Sequence, residues 1–154
     1  MAGLRLDAMD EDDLQILSAY CQDAIAAPAD LRFMAREGRF VAALNRFAWE
    51  TVKTPSRWRF LRKTQAYERR RAILDFGRVR SAQSIGVGQG STDTPLVLLA
   101  VRFAPKDPPG GTIELVFAGN AAIRLDVECV EARLTDEDAV WSTDRLPDHE
   151  KPVA

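Results

Sequence analysis

Mixed α and antiparallel β architecture (an α+β fold) is what the hydrophobic patterning of this chain predicts, and three observations carry that reading. One stripe of apolar residues near the N-terminus recurs at three- to four-residue spacing. Most of the chain beyond it alternates with period two between turn residues. In two of the alternating stretches the apolar phase slips by one residue, the mark of a β-bulge or bend.

The helical stripe comes first. Asp10 has the chemistry of an N-cap, and Glu11, Asp12 and Asp13 put negative charge on the first turn, where the helix dipole favours it. Leu14, Leu17, Cys21, Ala24 and Ile25 then recur at helical spacing. Pro28 cannot continue the hydrogen-bond ladder, so the helix is expected over about 11–25.

The period then changes. Leu31 and Phe33 alternate with Arg32 and Met34, a turn is offered by Arg36-Glu-Gly-Arg39, and Phe40, Ala42 and Leu44 carry the alternation back. A hairpin over 31–49 is predicted. A connection with Pro55 leads to a long strand over 71–87. Its apolar set runs Ala72, Leu74, Phe76 and then falls on Val79, Ile85 and Val87, so a bulge is expected at Gly77. A glycine-rich loop, 86–94, precedes a strand over 96–103. Strands over 112–118 and from Ile123 onward flank a Gly119-Asn120 turn. The second slip, from Val127 to Val130, Ala132 and Leu134, fits a bulge near Cys129 or a short helix from about 128; the β-branched content favours the strand. Together these elements predict a bent antiparallel sheet of about six strands, in the manner of a half-barrel or a pleckstrin-homology-like shell, covered by one helix. Residues 1–135 read as a single domain and 136–154 as a polar tail.

Composition narrows the class. The 154 residues are 46% hydrophobic and 29% charged, values of an ordinary globular chain. The longest apolar run, Leu96 to Val101, is far short of the roughly 20 residues of a membrane span, and the N-terminus has no signal-peptide pattern, so a cytoplasmic protein is expected. Cys21 and Cys129 lack metal-ligand spacing and are expected to be buried free thiols.

The charge distribution gives the strongest hint of a partner. Between Lys53 and Arg71 stand eight basic residues, Lys53, Arg57, Arg59, Arg62, Lys63, Arg69, Arg70 and Arg71, against Glu68 alone. The segment is +7 in a chain of −2, so the other 135 residues carry −9. Trp58, Phe60 and Tyr67 lie among the cations. A solvated turn paired with the protein's own acids is the plain reading of such a run. The functional one is a surface that meets an anionic or protein partner, or single-stranded nucleic acid, through its arginines and aromatic rings.

Other chemistry is thinly represented. His149 is the only histidine and sits in a polar, proline-containing stretch, so no serine or cysteine triad is evident and no catalytic residue, metal or cofactor is assigned. Gly86-Val-Gly-Gln-Gly-Ser-Thr92 leads into a strand rather than a helix N-terminus, which removes the physics of a phosphate loop. Helix capping accounts for the acids 10–13, and Asp136-Glu-Asp138 reads as the solvated end of the last strand. Arg46, Trp49 and Glu50 read as a packed tryptophan beside a surface ion pair.

Four stretches in order carry a resemblance: Asp13-Leu-Gln-Ile-Leu-Ser-Ala-Tyr-Cys-Gln-Asp-Ala24, Asn45-Arg-Phe-Ala-Trp-Glu50, Phe76 to Val87, and Ile113 to Leu134. The chain resembles the bacterial family known as domain of unknown function 2948, over about 4–149. The resemblance implies a bacterial cytoplasmic protein and carries no activity, cofactor or site residue with it. Arg57-Trp-Arg-Phe-Leu-Arg-Lys63 is longer and more basic than the family pattern.

Overall fold

Asp10 starts the helix as expected. Its backbone is extended (φ −151°) and its carboxylate accepts from the Asp13 N–H at 2.8 Å, satisfying one of the donors a helix start leaves open. The structure, a computed structural model, describes residues 3–47, 69–87 and 94–137. Helix α1 (Glu11–Cys21) buries Leu14, Leu17 and Cys21.

It stops four residues short of the expected end at Ile25, and the cause is tertiary. Asp23 turns into the left-handed region (φ 67°), its N–H donates to Leu98 O at 2.8 Å, and Ala24 O accepts from Leu98 N at 2.8 Å. Pairing with a strand has displaced helical continuation. Ile25–Ala26 accordingly forms a two-residue strand, β2, and Pro28–Asp30 is a 3-10 turn.

The remaining strands are β1 (Arg5–Ala8), β3 (Leu31–Met34), β4 (Arg39–Phe47), β5 (Arg69–Phe76), β6 (Val79–Ile85), β7 (Leu96–Pro105), β8 (Gly111–Phe117), β9 (Ala121–Val127) and β10 (Ala132–Asp136). All pair antiparallel, in the order β1-β10-β5-β4-β2-β7-β8-β9-β6, with β3 also on β4. The expectation of about six strands is therefore corrected: the described residues form ten strands of one open sheet. β1 and β2 are too short to show a period, and the expected strands over 71–87 and from Ile123 onward each divide in two, at a common corner.

That corner explains both phase slips. Arg78 has φ 58°, so the chain turns sharply after Gly77 and returns its apolar set to the inner face one residue late. The slip near Cys129 lies directly across from it: Gly77 N donates to Glu131 O at 2.8 Å, and Glu128 N to Arg78 O at 2.9 Å. Residues 128–131 link β9 to β10 and are not a helix. Gly77 is required by close approach, since a Cβ there would stand 2.6 Å from Glu131 Oε2. Cys129, placed on the corner, is part-exposed rather than buried. The predicted hairpin is found as β3 and β4 as far as Phe47, residues 48 and 49 lying outside the described residues, and the Gly119-Asn120 turn has positive φ at both residues (82° and 62°).

The core lies inside the bend. Alternate residues of β4, β5, β8 and β9, among them Leu44, Leu74, Phe76, Ile113, Leu115 and Leu125, face α1 or one another and are fully buried. Ser18 on α1 accepts from Val101 N at 2.9 Å, so the helix satisfies a donor of β7 past the end of β2. Asp10→Ala should cost about 1 kcal/mol in urea-induced unfolding, with an unchanged m-value.

Candidate binding surface

Arg46 stands where an apolar residue belongs. On β4 the inward positions run Phe40, Ala42, Leu44, Arg46; on β10 they run Ala132, Leu134, Asp136. Each strand ends its buried row on a charge, and the two charges find one another. Arg46 Nε donates to Asp136 Oδ1 at 2.8 Å and its Nη2 to Oδ2 at 2.9 Å, a two-point pair with both side chains 0% exposed. The Leu4 N–H donates to the same carboxylate at 2.9 Å, and Arg46 Nη1 to Phe47 O at 3.3 Å. In the sheet register Ala72 of β5 lies between Leu44 and Asp136, and its methyl leaves room for the guanidinium to cross.

Two expectations are corrected here. Arg46 is not in a surface ion pair, and Asp136 is not at a solvated strand end, because isolated charges at core positions are costly and mutual pairing offsets that cost. Trp49 and Glu50 lie outside the described residues.

Cys21 is close enough to feel the pair. Burial pushes its thiol from the ordinary 9.0 up to about 12, the nearby arginine opposing this and the aspartate adding to it. The thiolate is therefore scarce at neutral pH, and the residue acts as a small core hydrophobe.

Just outside the pair, the ends of β4 and β5 face solvent. The register sets Asn45 opposite Arg71, Arg46 opposite Arg70 and Phe47 opposite Arg69. Arg69 is exposed, with its guanidinium carbon 5.5 Å from the Phe47 ring centroid and its Nη1 donating to Asn45 O at 3.3 Å. Arg71 reaches Asp30 at 3.6 Å and Glu137 at 3.7 Å, loose contacts in water. These three arginines are the described part of the basic run. Lys53, Arg57, Trp58, Arg59, Phe60, Arg62, Lys63 and Tyr67 lie outside the described residues, as do His149 and residues 88–93 of the glycine-rich loop.

Elsewhere several surface arginines pair with acids on neighbouring strands. A cleft of about 300 Å³ at the Gly77 corner is lined by Asp7, Arg39, Asp75, Glu131 and Arg133. Arg39 binds Asp75, Arg133 binds Asp7 at 2.6 Å, and Arg78 meets Glu131 at 3.4 Å. Asp75 Oδ1 is buried without a hydrogen bond among the described residues. Among those residues no group of three or more His, Cys, Asp or Glu side chains is placed to hold a metal ion, and no helix is long and apolar enough to cross a membrane.

The structure thus defines an α+β protein built on one bent antiparallel sheet, with a buried ion pair beneath the root of its basic segment. The chain belongs to the family described as "Protein of unknown function (DUF2948)", whose family model matches residues 4–149. None of the curated proteins matches the chain, and no solved structure does.

Breaking the pair from one side should be severe: Asp136→Asn or Arg46→Met should cost about 3–5 kcal/mol in chemical denaturation, by stranding the remaining charge. Replacing both by apolar residues of similar volume should recover most of that loss. For Cys21 the folded pKa exceeds the unfolded one, so its contribution to stability is complete below pH 9 and lost as pH rises towards 12. Cys21→Ala should remove that part of the alkaline slope in pH-dependent unfolding. In the native state Cys129 should react first with a thiol reagent, and Cys21 only on unfolding.

Proposed function

We propose that the protein is a non-catalytic binding or adaptor module that engages a protein or anionic surface through its basic aromatic segment. The observation that carries this reading is charge segregation: +7 between Lys53 and Arg71, against −9 over the rest of the chain. The described roots of that segment support it. Arg69 and Arg71 stand exposed on one sheet end, and their surface partners are long or shared. A rigid shell that holds such a segment at its two strand ends loses less entropy on binding than a free chain would. A bacterial, cytoplasmic setting for this role is part of the same proposal.

A second reading is favoured by a separate observation. Trp58, Phe60 and Tyr67 are interleaved with the arginines, the composition of a surface that stacks bases while cations meet phosphates. On that reading the module is an accessory protein for RNA or single-stranded DNA.

Salt separates the two. The full chain is titrated with a labelled polyglutamate peptide and with an oligodeoxythymidine 20-mer, each over a range of salt concentrations. If about four cations meet phosphates, log K for the oligonucleotide should fall with log salt at a slope of about −3, and Trp58→Ala should cost ~1–3 kcal/mol. Binding of polyglutamate alone selects the first reading. Reversing Arg57, Arg59 and Arg62 to Glu should abolish binding with an unchanged melting temperature. If the wild type binds neither polyanion at low salt and the triple reversal retains every partner captured from lysate, the basic segment is a solvated turn.

A further inference from the structure

Strand β6 ends the sheet. It pairs with β9 and, among the described residues, has no strand on its other side. Open edges are normally protected by short length, charged side chains or proline. The opposite end of the sheet is protected in this way, since β1 has four residues and exposes Arg5 and Asp7. β6 has seven residues, contains neither proline nor lysine, and exposes Ser81, Gln83, Ser84 and Ile85. Its one charge is turned back onto β9: Arg80 Nε lies 3.3 Å from Asp126 Oδ2, and Nη2 donates to Val127 O at 3.2 Å.

The ladder decides which backbone groups are free. In an antiparallel strand the N–H and C=O of one residue point to the same side, and the side alternates along the chain. Glu128 N donates to Arg78 O, so the even-numbered residues of β9 face β6. Their partners in register are Ser81 for Asp126, Gln83 for Arg124 and Ile85 for Ala122. Ala82 and Ser84 therefore turn their N–H and C=O away from β9. The edge is closed off before them, because Val79 N donates to Gly38 O at 2.8 Å.

We propose that this edge is a self-association surface, on which two copies of the chain pair β6 with β6, antiparallel, about a two-fold axis beside Gln83. Ala82 of each copy then meets Ser84 of the other, and both pairs exchange N–H and C=O. The inference does not depend on the basic segment. Three observations choose a second copy over a foreign strand. The edge complements itself: about this axis Gln83 stands opposite Gln83 and Ser81 opposite Ile85, so no like charges meet. Arg80 is held by Asp126 of its own chain and brings no unpaired charge to the contact. The short, charged β1 does not match β6, so the pairing closes as a symmetric dimer rather than running on head to tail. The contact is small, and the dimer is correspondingly weak, with a Kd of about 100 μM.

Sedimentation equilibrium of the full chain over a concentration series should show a monomer–dimer equilibrium. Gln83→Lys sets two like charges opposite one another on the axis, as does Gln83→Glu, and each should weaken the dimer about fivefold. An equimolar mixture of these two variants sets opposite charges there and should restore association. Ser84→Pro removes an N–H that β9 does not use and should abolish the dimer with little change in melting temperature. If that variant fails to fold, the charge mixture still decides. A wild type that stays monomeric to about tenfold above the expected Kd overturns the proposal. Equal association of the wild type and both charge variants, or no recovery in the mixture, places the contact elsewhere and overturns it as well.

Discussion

The buried pair of Arg46 and Asp136 is the constraint that organises one end of the molecule. Its two residues are 90 positions apart, and each closes the inward row of its own strand. The carboxylate also receives the Leu4 N–H, so one group ties β1, β4 and β10 together, with β5 passing between. Hydrophobic packing by itself tolerates sliding of one strand past another by two residues, because the same face stays buried. A charge does not tolerate it. A shift of β10 along β5 would carry Asp136 away from Arg46 and leave both ions buried and unpaired, at a cost of several kcal/mol. The pair thus specifies register where short strands specify it poorly.

A second fixed point lies at the opposite corner, where two turns of the chain bind each other. Gly77-Arg78 and residues 128–131 exchange backbone hydrogen bonds, and Val79 N reaches back to Gly38 O at 2.8 Å. Both strands change direction at one place, which lets β5 belong to one half of the sheet and β6 to the other without leaving the core. The absence of a side chain at Gly77 makes room for Glu131, which in turn pairs with Arg78. Backbone geometry sets the bend, and the surface charges then settle around it.

Much of this was legible in the sequence because period-two alternation is local. Phe40-Ala42-Leu44, Ala72-Leu74-Phe76 and Ile123-Leu125-Val127 declare their inner faces without any knowledge of partners. The phase slips at Gly77 and Cys129 were equally visible; that they face each other was not, because pairing is a property of the sheet. Helix α1 showed its start through Asp10 but not its end, since the competitor for Asp23 and Ala24 is Leu98, more than seventy residues away. Arg46 and Asp136 carried a signal that a strict reading of phase picks up. Each falls on the buried parity of its strand, and two opposite charges at core positions predict one another. Proximity along the chain points instead to Glu50, four residues on from Arg46.

Charge pairing also sets where the surface charge of this fold is uneven. Most exposed arginines on the strands already have an acid across the sheet: Arg39 with Asp75, Arg80 with Asp126, Arg102 and Arg124 with Glu114, Arg133 with Asp7. Cross-strand neighbours of opposite charge are what antiparallel pairing selects, and they leave little net field. The β4–β5 end breaks that pattern, because there arginine faces arginine in register: Arg46 opposite Arg70, with Arg69 and Arg71 on either side. Arg46 is neutralised from the inside by Asp136, which leaves Arg69 and Arg71 unmatched by acids of their own ladder. Their counter-charges must come from outside the ladder, and Asp30 and Glu137 already approach Arg71 from neighbouring segments. Like charges thus sit side by side at this end of the sheet, one of them cancelled by a buried acid and the others met only at the surface.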